Sequence, residues 1–226
     1  MDKLQNLISH FMMKYLAVPK LPSVTEGKKT VACIGDSITF GAGVRGKREL
    51  TWEYHLENLL GSGYQVLNYG ISGRTLLQAG DYPYTAEKQY AHSRKIMADV
   101  YLIMLGTNDS KPYNWNEAQF RKELSAFVKR YVNLENKPRV ILMTPPSCYP
   151  DLKSGVVAFD INSGIIKNEI CSIVNEIAGK YKLQVIDLHS FTGNHDGWFA
   201  DGVHPNEEGN RQIADFVYRE LGKKSA

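Results

Sequence analysis

The sequence predicts an α/β fold built on a parallel sheet, and three observations carry that reading. Five short apolar runs recur along the chain: "TVACIG", "YQVLNYG", "DVYLIMLG", "PRVILMTP" and "LQVIDLH". Several are near-continuous Val, Ile and Leu, the composition of strands covered on both faces. Helical patterns separate most of them, and alternating β and α implies parallel strands with right-handed crossovers and helices on both faces of the sheet.

The first segment, 1–24, reads as an amphipathic helix and a linker. Leu4, Leu7, Ile8, Phe11, Met12, Tyr15 and Leu16 fall at helical spacing, and Pro19 and Pro22 mark the linker. Asp2 comes early, His10 and Lys14 break the apolar run, and no small-residue cleavage site follows, so the segment is a poor signal peptide. The expectation is a helix packed on its own domain, or one that makes a homodimer contact. A membrane surface is disfavoured, because the polar face is not rich in Lys and Arg.

Residues 25–226 read as one domain. After the first strand run comes "RELTWEYHLENLLG", a helical pattern that ends on a plausible glycine cap at Gly61. The segment "NEAQFRKELSAFVKRYVNLE" places Phe120, Leu124, Phe127, Val128 and Tyr131 on one helical face. A similar pattern runs from Phe159 to Tyr181, and "NEEGNRQIADFVYREL" supplies the last helix. The hydrophobic share of 43% is enough for a sizeable core. With 27 basic and 24 acidic residues scattered along the chain, the balance is not a nucleic-acid footprint. Three widely spaced cysteines, Cys33, Cys148 and Cys171, fit neither a disulfide framework nor a zinc site, which points to a reducing, cytoplasmic compartment. No spacing suggests a metal or a cofactor.

In open α/β sheets, ligands bind beyond the carboxyl ends of the strands. The first three runs end at "GDSIT", "NYGISGRT" and "LGTNDS", and the last strand is followed by "GWFADGVHPN". These stops supply what acyl transfer requires. Ser37 is a candidate nucleophile, His204 a candidate base, and Asp201, three residues earlier, a group to orient it. The backbone N–H groups of Ser37 and Gly73 and the side-chain amide of Asn108 are candidate donors to an oxyanion. His189 and His195 compete for the role of base, but only "DGVHP" joins the D-x-x-H spacing to a helix start. His10, His55 and His92 fall on helical patterns. Asp36 and Asp109 adjoin the candidate residues and read as groups that fix loops.

These blocks resemble those of the GDSL, or SGNH, hydrolase family: "GDSIT" for Ser37, "ISG" for Gly73, "GTND" for Asn108, and "DGVHP" for Asp201 and His204. They occur in family order, and the resemblance runs from about Thr30 to Leu221. Ile38 stands where the motif has leucine, an apolar exchange. The resemblance implies a flavodoxin-like three-layer αβα sandwich with a five-stranded parallel sheet in the order 2-1-3-4-5, and ester hydrolysis by a Ser-His-Asp acyl-enzyme mechanism without a metal or cofactor.

The substrate it implies is a small-molecule ester, with no nucleic acid or membrane as partner. Within the family, "GTNDSKPYNW" and "TFGAGVRG" look most like bacterial carbohydrate esterases that remove acetyl groups. Aromatics crowd the rim segments: Tyr82 and Tyr84, Tyr113 and Trp115, Trp198 and Phe199, and flat rings suit sugars. Arg45, Arg74 and Lys111 are rim cations that either meet an anionic sugar or are simply solvated. Loops without a lid-length insertion disfavour a long-chain lipase tunnel. The alternatives are a lysophospholipase or thioesterase of the same fold and, less favoured, a non-catalytic carbohydrate-binding module.

Overall fold

The structure, a computed structural model, describes residues 18–45 and 47–223. The helix expected within residues 1–17 lies outside the described residues. The linker that follows lies against the domain: the Gln89 side chain donates to the Pro19 carbonyl at 2.8 Å, and the Thr25 N–H donates to Gln65 Oε1 at 2.8 Å.

Five strands form one sheet in the order β2-β1-β3-β4-β5: β1 Lys29–Gly35, β2 Tyr64–Gly70, β3 Val100–Met104, β4 Arg139–Met143 and β5 Gln184–Ile186. Every pairing is parallel, with Val31 opposite Val66 on one side and Val100 on the other. The expected order and class are therefore those found. Successive strand residues feed opposite cores, as the two-residue period requires. Val31, Cys33, Leu102, Met104, Ile141 and Met143 face one layer; Ala32, Ile34, Tyr101, Ile103, Val140 and Leu142 face the other.

On the first face lie α2 (Trp52–Leu60) and α7 (Glu207–Leu221), with the short α1 (Ser37–Phe40) directly after β1. On the second lie α3 (Lys88–Lys95), α4 (Glu117–Val132) and α5 (163–181); a short α6 (Leu188–Thr192) follows β5. The caps explain the boundaries. Asn116 accepts from Gln119 N at the start of α4, and Asn206 accepts from Gly209 N at the start of α7. Gly61 closes α2 with a positive φ of 83°, as the sequence suggests.

Two expected helices differ in detail. The pattern from Arg48 is broken at Thr51, whose hydroxyl accepts from Tyr54 N, so a 3₁₀ turn (Arg48–Leu50) precedes α2. The pattern from Phe159 becomes helical only after Asn162, which accepts from Ile165 N. One wide turn, Ile166–Ile170, then lets Ile166 and Ile170 both point into the core. No helix among the described residues is long and apolar enough to cross a membrane.

One buried polar side chain ties the last helix to the first layer. Asn210 on α7 accepts the Trp52 N–H at 3.0 Å and donates to the carbonyls of Pro205 and Asn206 at 2.8 and 2.9 Å. Asn210→Ala leaves a buried donor and a buried acceptor unpaired and should cost about 3 kcal/mol of stability. Urea unfolding checks this; a loss well under 1 kcal/mol would show that the bridge carries no strain-free anchoring.

Candidate functional site

The first strand ends at Gly35, and the chain turns at once into α1. Asp36 caps this single turn by accepting Ile38 N at 2.9 Å, which raises Ser37 to the rim as the first helical residue. The cap sets this one-turn helix. Ser37 Oγ lies 2.8 Å from His204 Nε2, and His204 Nδ1 lies 2.8 Å from Asp201 Oδ2. Asp201 Oδ1 accepts the backbone N–H groups of Val203 and His204, so one carboxylate shapes the loop and faces the ring. Burial alone would raise Asp201, but the hydrogen bonds from His204 outweigh it and hold the carboxyl below its usual range. An ionised Asp201 only accepts, so Nδ1 carries the proton, and Nε2 of a neutral ring accepts from the Ser37 hydroxyl.

Gly73 and Asn108 line the same cavity as these three residues. Ser37, Gly73, Asn108, Asp201 and His204 all line one cavity of about 350 Å³, with Ala42, Ser72, Thr107, Lys111, Phe159, Ile161 and Val203. Among the described residues, neither the Ser37 nor the Gly73 backbone N–H is used elsewhere. The Asn108 amide donates one N–H to the Arg74 carbonyl at 3.2 Å, which fixes the side chain and leaves its second N–H uncommitted. Gly43 brings the loop after α1 against the histidine loop: a Cβ there would sit 2.1 Å from the Pro205 carbonyl oxygen.

Two buried carboxylates sit beneath. Asp109 accepts the N–H groups of Leu76 and Leu77, tethering the segment that follows Gly73. Burial pushes it up to about 7, and the charge of Asp36 adds to that. Burial likewise pushes Asp36 up to about 6 against its hydrogen bonds and the attraction of His204. Both fix loops, as their positions in the sequence suggest. Burial pushes the thiols of Cys148 and Cys171 up to about 12, which removes them as thiolate nucleophiles. Among the described residues no group of three His, Cys, Asp or Glu could hold a metal ion. A larger cavity of about 500 Å³ lies between β2, α2 and the linker, but no histidine lines it.

The rim residues divide. Lys111 lines the cavity, with Nζ 3.5 Å from Asp81 Oδ2. Arg45 is exposed and does not line the cavity. Arg74 is not a rim cation. It is fully buried, its guanidinium bonds to Glu87 at 2.7 and 3.0 Å and to the Ser72 carbonyl at 2.9 Å, and so it clamps the turn that carries Gly73. Tyr82 lies against that guanidinium, 5.5 Å from ring centre to carbon, rather than in the cavity. Trp198 stacks on His195 at 3.8 Å and does not line the cavity either. Of the lining residues the sequence did not single out, Ser72, Thr107 and Val203 adjoin motif residues and were findable by that signal. Phe159 had no local signal.

The model of the GDSL-like lipase/acylhydrolase family matches residues 33–212. An acetylxylan esterase of Xylanibacter ruminicola is 36% identical over 217 aligned residues, which take in 87% of this chain but 44% of the relative. The chain thus spans under half the length of that relative. Among solved structures, the aryl esterase of M. smegmatis superposes with a TM-score of 0.70 at 21% identity, covering 85% of this chain and 98% of that one. A carbohydrate acetylesterase from Sinorhizobium meliloti gives 0.68 at 20% identity, covering 86% and 98%. At these identities the two structures speak for the fold alone.

The raised Asp36 makes a stability prediction. The unfolded carboxyl ionises near 4 and the folded one near 6, so between these values rising pH favours the unfolded chain. Asp36→Asn keeps the acceptor for Ile38 N and removes the charge. Its melting temperature should gain on that of the wild type as pH rises from about 4 to about 6.5. Melts across that range check it; a constant difference would mean that Asp36 is not buried as a neutral acid.

Proposed function

The chain belongs to the GDSL-like lipase/acylhydrolase family, and on that premise we propose that it is a serine ester hydrolase that removes acetyl or other short acyl groups from a carbohydrate. The observation that carries the reading is the unbroken chain Asp201–His204–Ser37, with 2.8 Å at each step, lining the same cavity as Gly73 and Asn108.

The geometry supports a role for each residue. Ser37 Oγ attacks the ester carbonyl while His204 Nε2 takes its proton, and Asp201 stabilises the imidazolium. The carbonyl oxygen, now an anion, meets the N–H groups of Ser37 and Gly73 and the free N–H of Asn108. His204 returns the proton to the alcohol oxygen as the C–O bond breaks, which releases the alcohol and leaves the acyl group on Ser37. Water then attacks that acyl group with His204 as base, and the carboxylic acid leaves. Asp36 and Arg74 position the two sides of this site without touching the ester.

The acyl size follows from the cavity. Its volume of about 350 Å³ suits a short acyl group plus part of an alcohol better than the long chain of a lysophospholipase or thioesterase substrate. The acetylxylan esterase similarity, over the part of that protein that this chain matches, supports a carbohydrate as the alcohol.

Ser37→Ala should abolish turnover of nitrophenyl acetate and labelling by a fluorophosphonate while the melt is unchanged. Wild-type turnover in that variant would overturn the mechanism. The wild type should prefer C2 to C4 nitrophenyl esters over C8 and longer, and should release acetate from acetylated xylo-oligosaccharides.

Asn108→Ala removes a donor that strengthens as the oxyanion forms, so kcat should fall by about 10²–10³ with much less change in KM. A lowered melting temperature with an unchanged kcat would instead leave Asn108 as a loop anchor for the Arg74 carbonyl.

A further inference from the structure

The aromatic rings that the sequence offers for a sugar are turned elsewhere. Tyr84 is buried and donates to the Tyr69 carbonyl, Trp115 packs on Phe120 and donates to Glu169, and Phe199 packs on Tyr149. Tyr82 and Trp198 are engaged as described, and Tyr113 does not line the cavity. Among the described residues, the Phe, Tyr or Trp side chain that lines it is Phe159, which is 55% exposed. Its ring lies 5.2 Å from that of His204 at 64°, an edge contact that leaves much of the ring uncovered.

The backbone there is unusual. Phe159 and Asp160 both have left-handed φ, 62° and 59°. Glycine or asparagine takes such positions at least cost, and a bulky side chain held there is an outlier that points to a role. The segment is held at both ends. Tyr149 N donates to the Gly202 carbonyl at 2.8 Å, and Gly202, with a φ of 81°, is the residue that permits this, since a Cβ would lie 2.2 Å from the Tyr149 oxygen. At the far end Asn162 N donates to Ser110 Oγ at 3.1 Å, and Ile161 lines the cavity.

The chemistry says which half of the ester Phe159 meets. The carbonyl oxygen must face Gly73 and Asn108. The alcohol oxygen must lie within reach of His204 Nε2, which returns its proton. The alcohol therefore leaves on the histidine side, against the ring that touches His204. We propose that Phe159 is the platform on which the alcohol half of the ester, a pyranose ring, stacks, and that it selects the alcohol rather than the acyl group. The inference rests on the ester-hydrolase reading and adds a sugar subsite to it.

The test compares two acetyl esters that differ only in the alcohol: a mono-O-acetyl methyl xyloside and ethyl acetate, whose alcohol has no ring to stack. In Phe159→Ala the ratio of kcat/KM for the xyloside over that for ethyl acetate should fall about tenfold, mostly through KM, the scale expected for loss of one stacking face. Phe159→Trp should keep the ratio within about twofold, while Phe159→Gly should lose it like alanine with a melting temperature no lower than the wild type, because glycine accepts the left-handed backbone. The preference for acetyl over butyryl on the same xyloside should stay where it is in every variant. An unchanged ratio in Phe159→Ala, or a shift in acyl preference instead, would overturn the inference. A wild-type protein that cleaves neither ester would overturn the ester-hydrolase reading itself, and the subsite with it.

Discussion

The bond between His204 and Ser37 joins residues 167 positions apart, and the rest of the fold is arranged so that it can form. Ser37 stands at the end of β1, inside the sheet, whereas the chain reaches His204 only after β5, at the sheet's far edge. The segment between β5 and α7 must therefore run back along the carboxyl edges of the strands. Three contacts hold it there: Phe199 bridges Pro205, Gly43 lets the loop after α1 touch the Pro205 carbonyl, and Asn210 ties the start of α7 to the start of α2. The packing of α2 and α7 over β1 is thus also what sets the distance between a hydroxyl and an imidazole.

Burial and charge work against each other beneath the site. Asp36 and Asp109 are buried and feel burial, Asp109 also feels the charge of Asp36 and Asp36 that of His204, and both are pushed toward the neutral acid. The fold keeps them because their oxygens hold backbone N–H groups of the two segments that carry Ser37 and follow Gly73. Asp201 lies on the other side of that balance. It is partly exposed and bonded by a ring N–H and two backbone N–H groups, so it stays a carboxylate beside the imidazole. Three aspartates in one site differ in charge because they differ in desolvation and in the number of donors.

Arg74 shows how far a local reading of charge can reach. From its neighbours in the chain it is a loop cation beside a glycine. In the fold it is inside, paired with Glu87 and wrapped on the Ser72 carbonyl, while its own carbonyl holds the Asn108 amide. It acts on the site through the backbone that it braces. Lys111, three residues beyond Asn108, is the cation that reaches the cavity.

What the sequence determined by itself is what depends on short-range periodicity. The run-length and composition of five strands, the helical spacing of Phe120 to Tyr131, and the caps at Asn116 and Asn206 are local signals, and each strand end carries a block of polar residues. A parallel sheet brings all its carboxyl ends to one edge, so Ser37, Gly73, Asn108, Asp201 and His204 converge on one cavity once the fold class is known. Tertiary structure alone decided which rings and cations join them. A rim side chain points where its loop's dihedral angles and its distant partners send it: Trp115 toward Glu169, Arg74 toward Glu87, Phe159 over His204 through two left-handed residues. Those partners are set by packing between segments far apart in the chain, and no spacing within a loop encodes them.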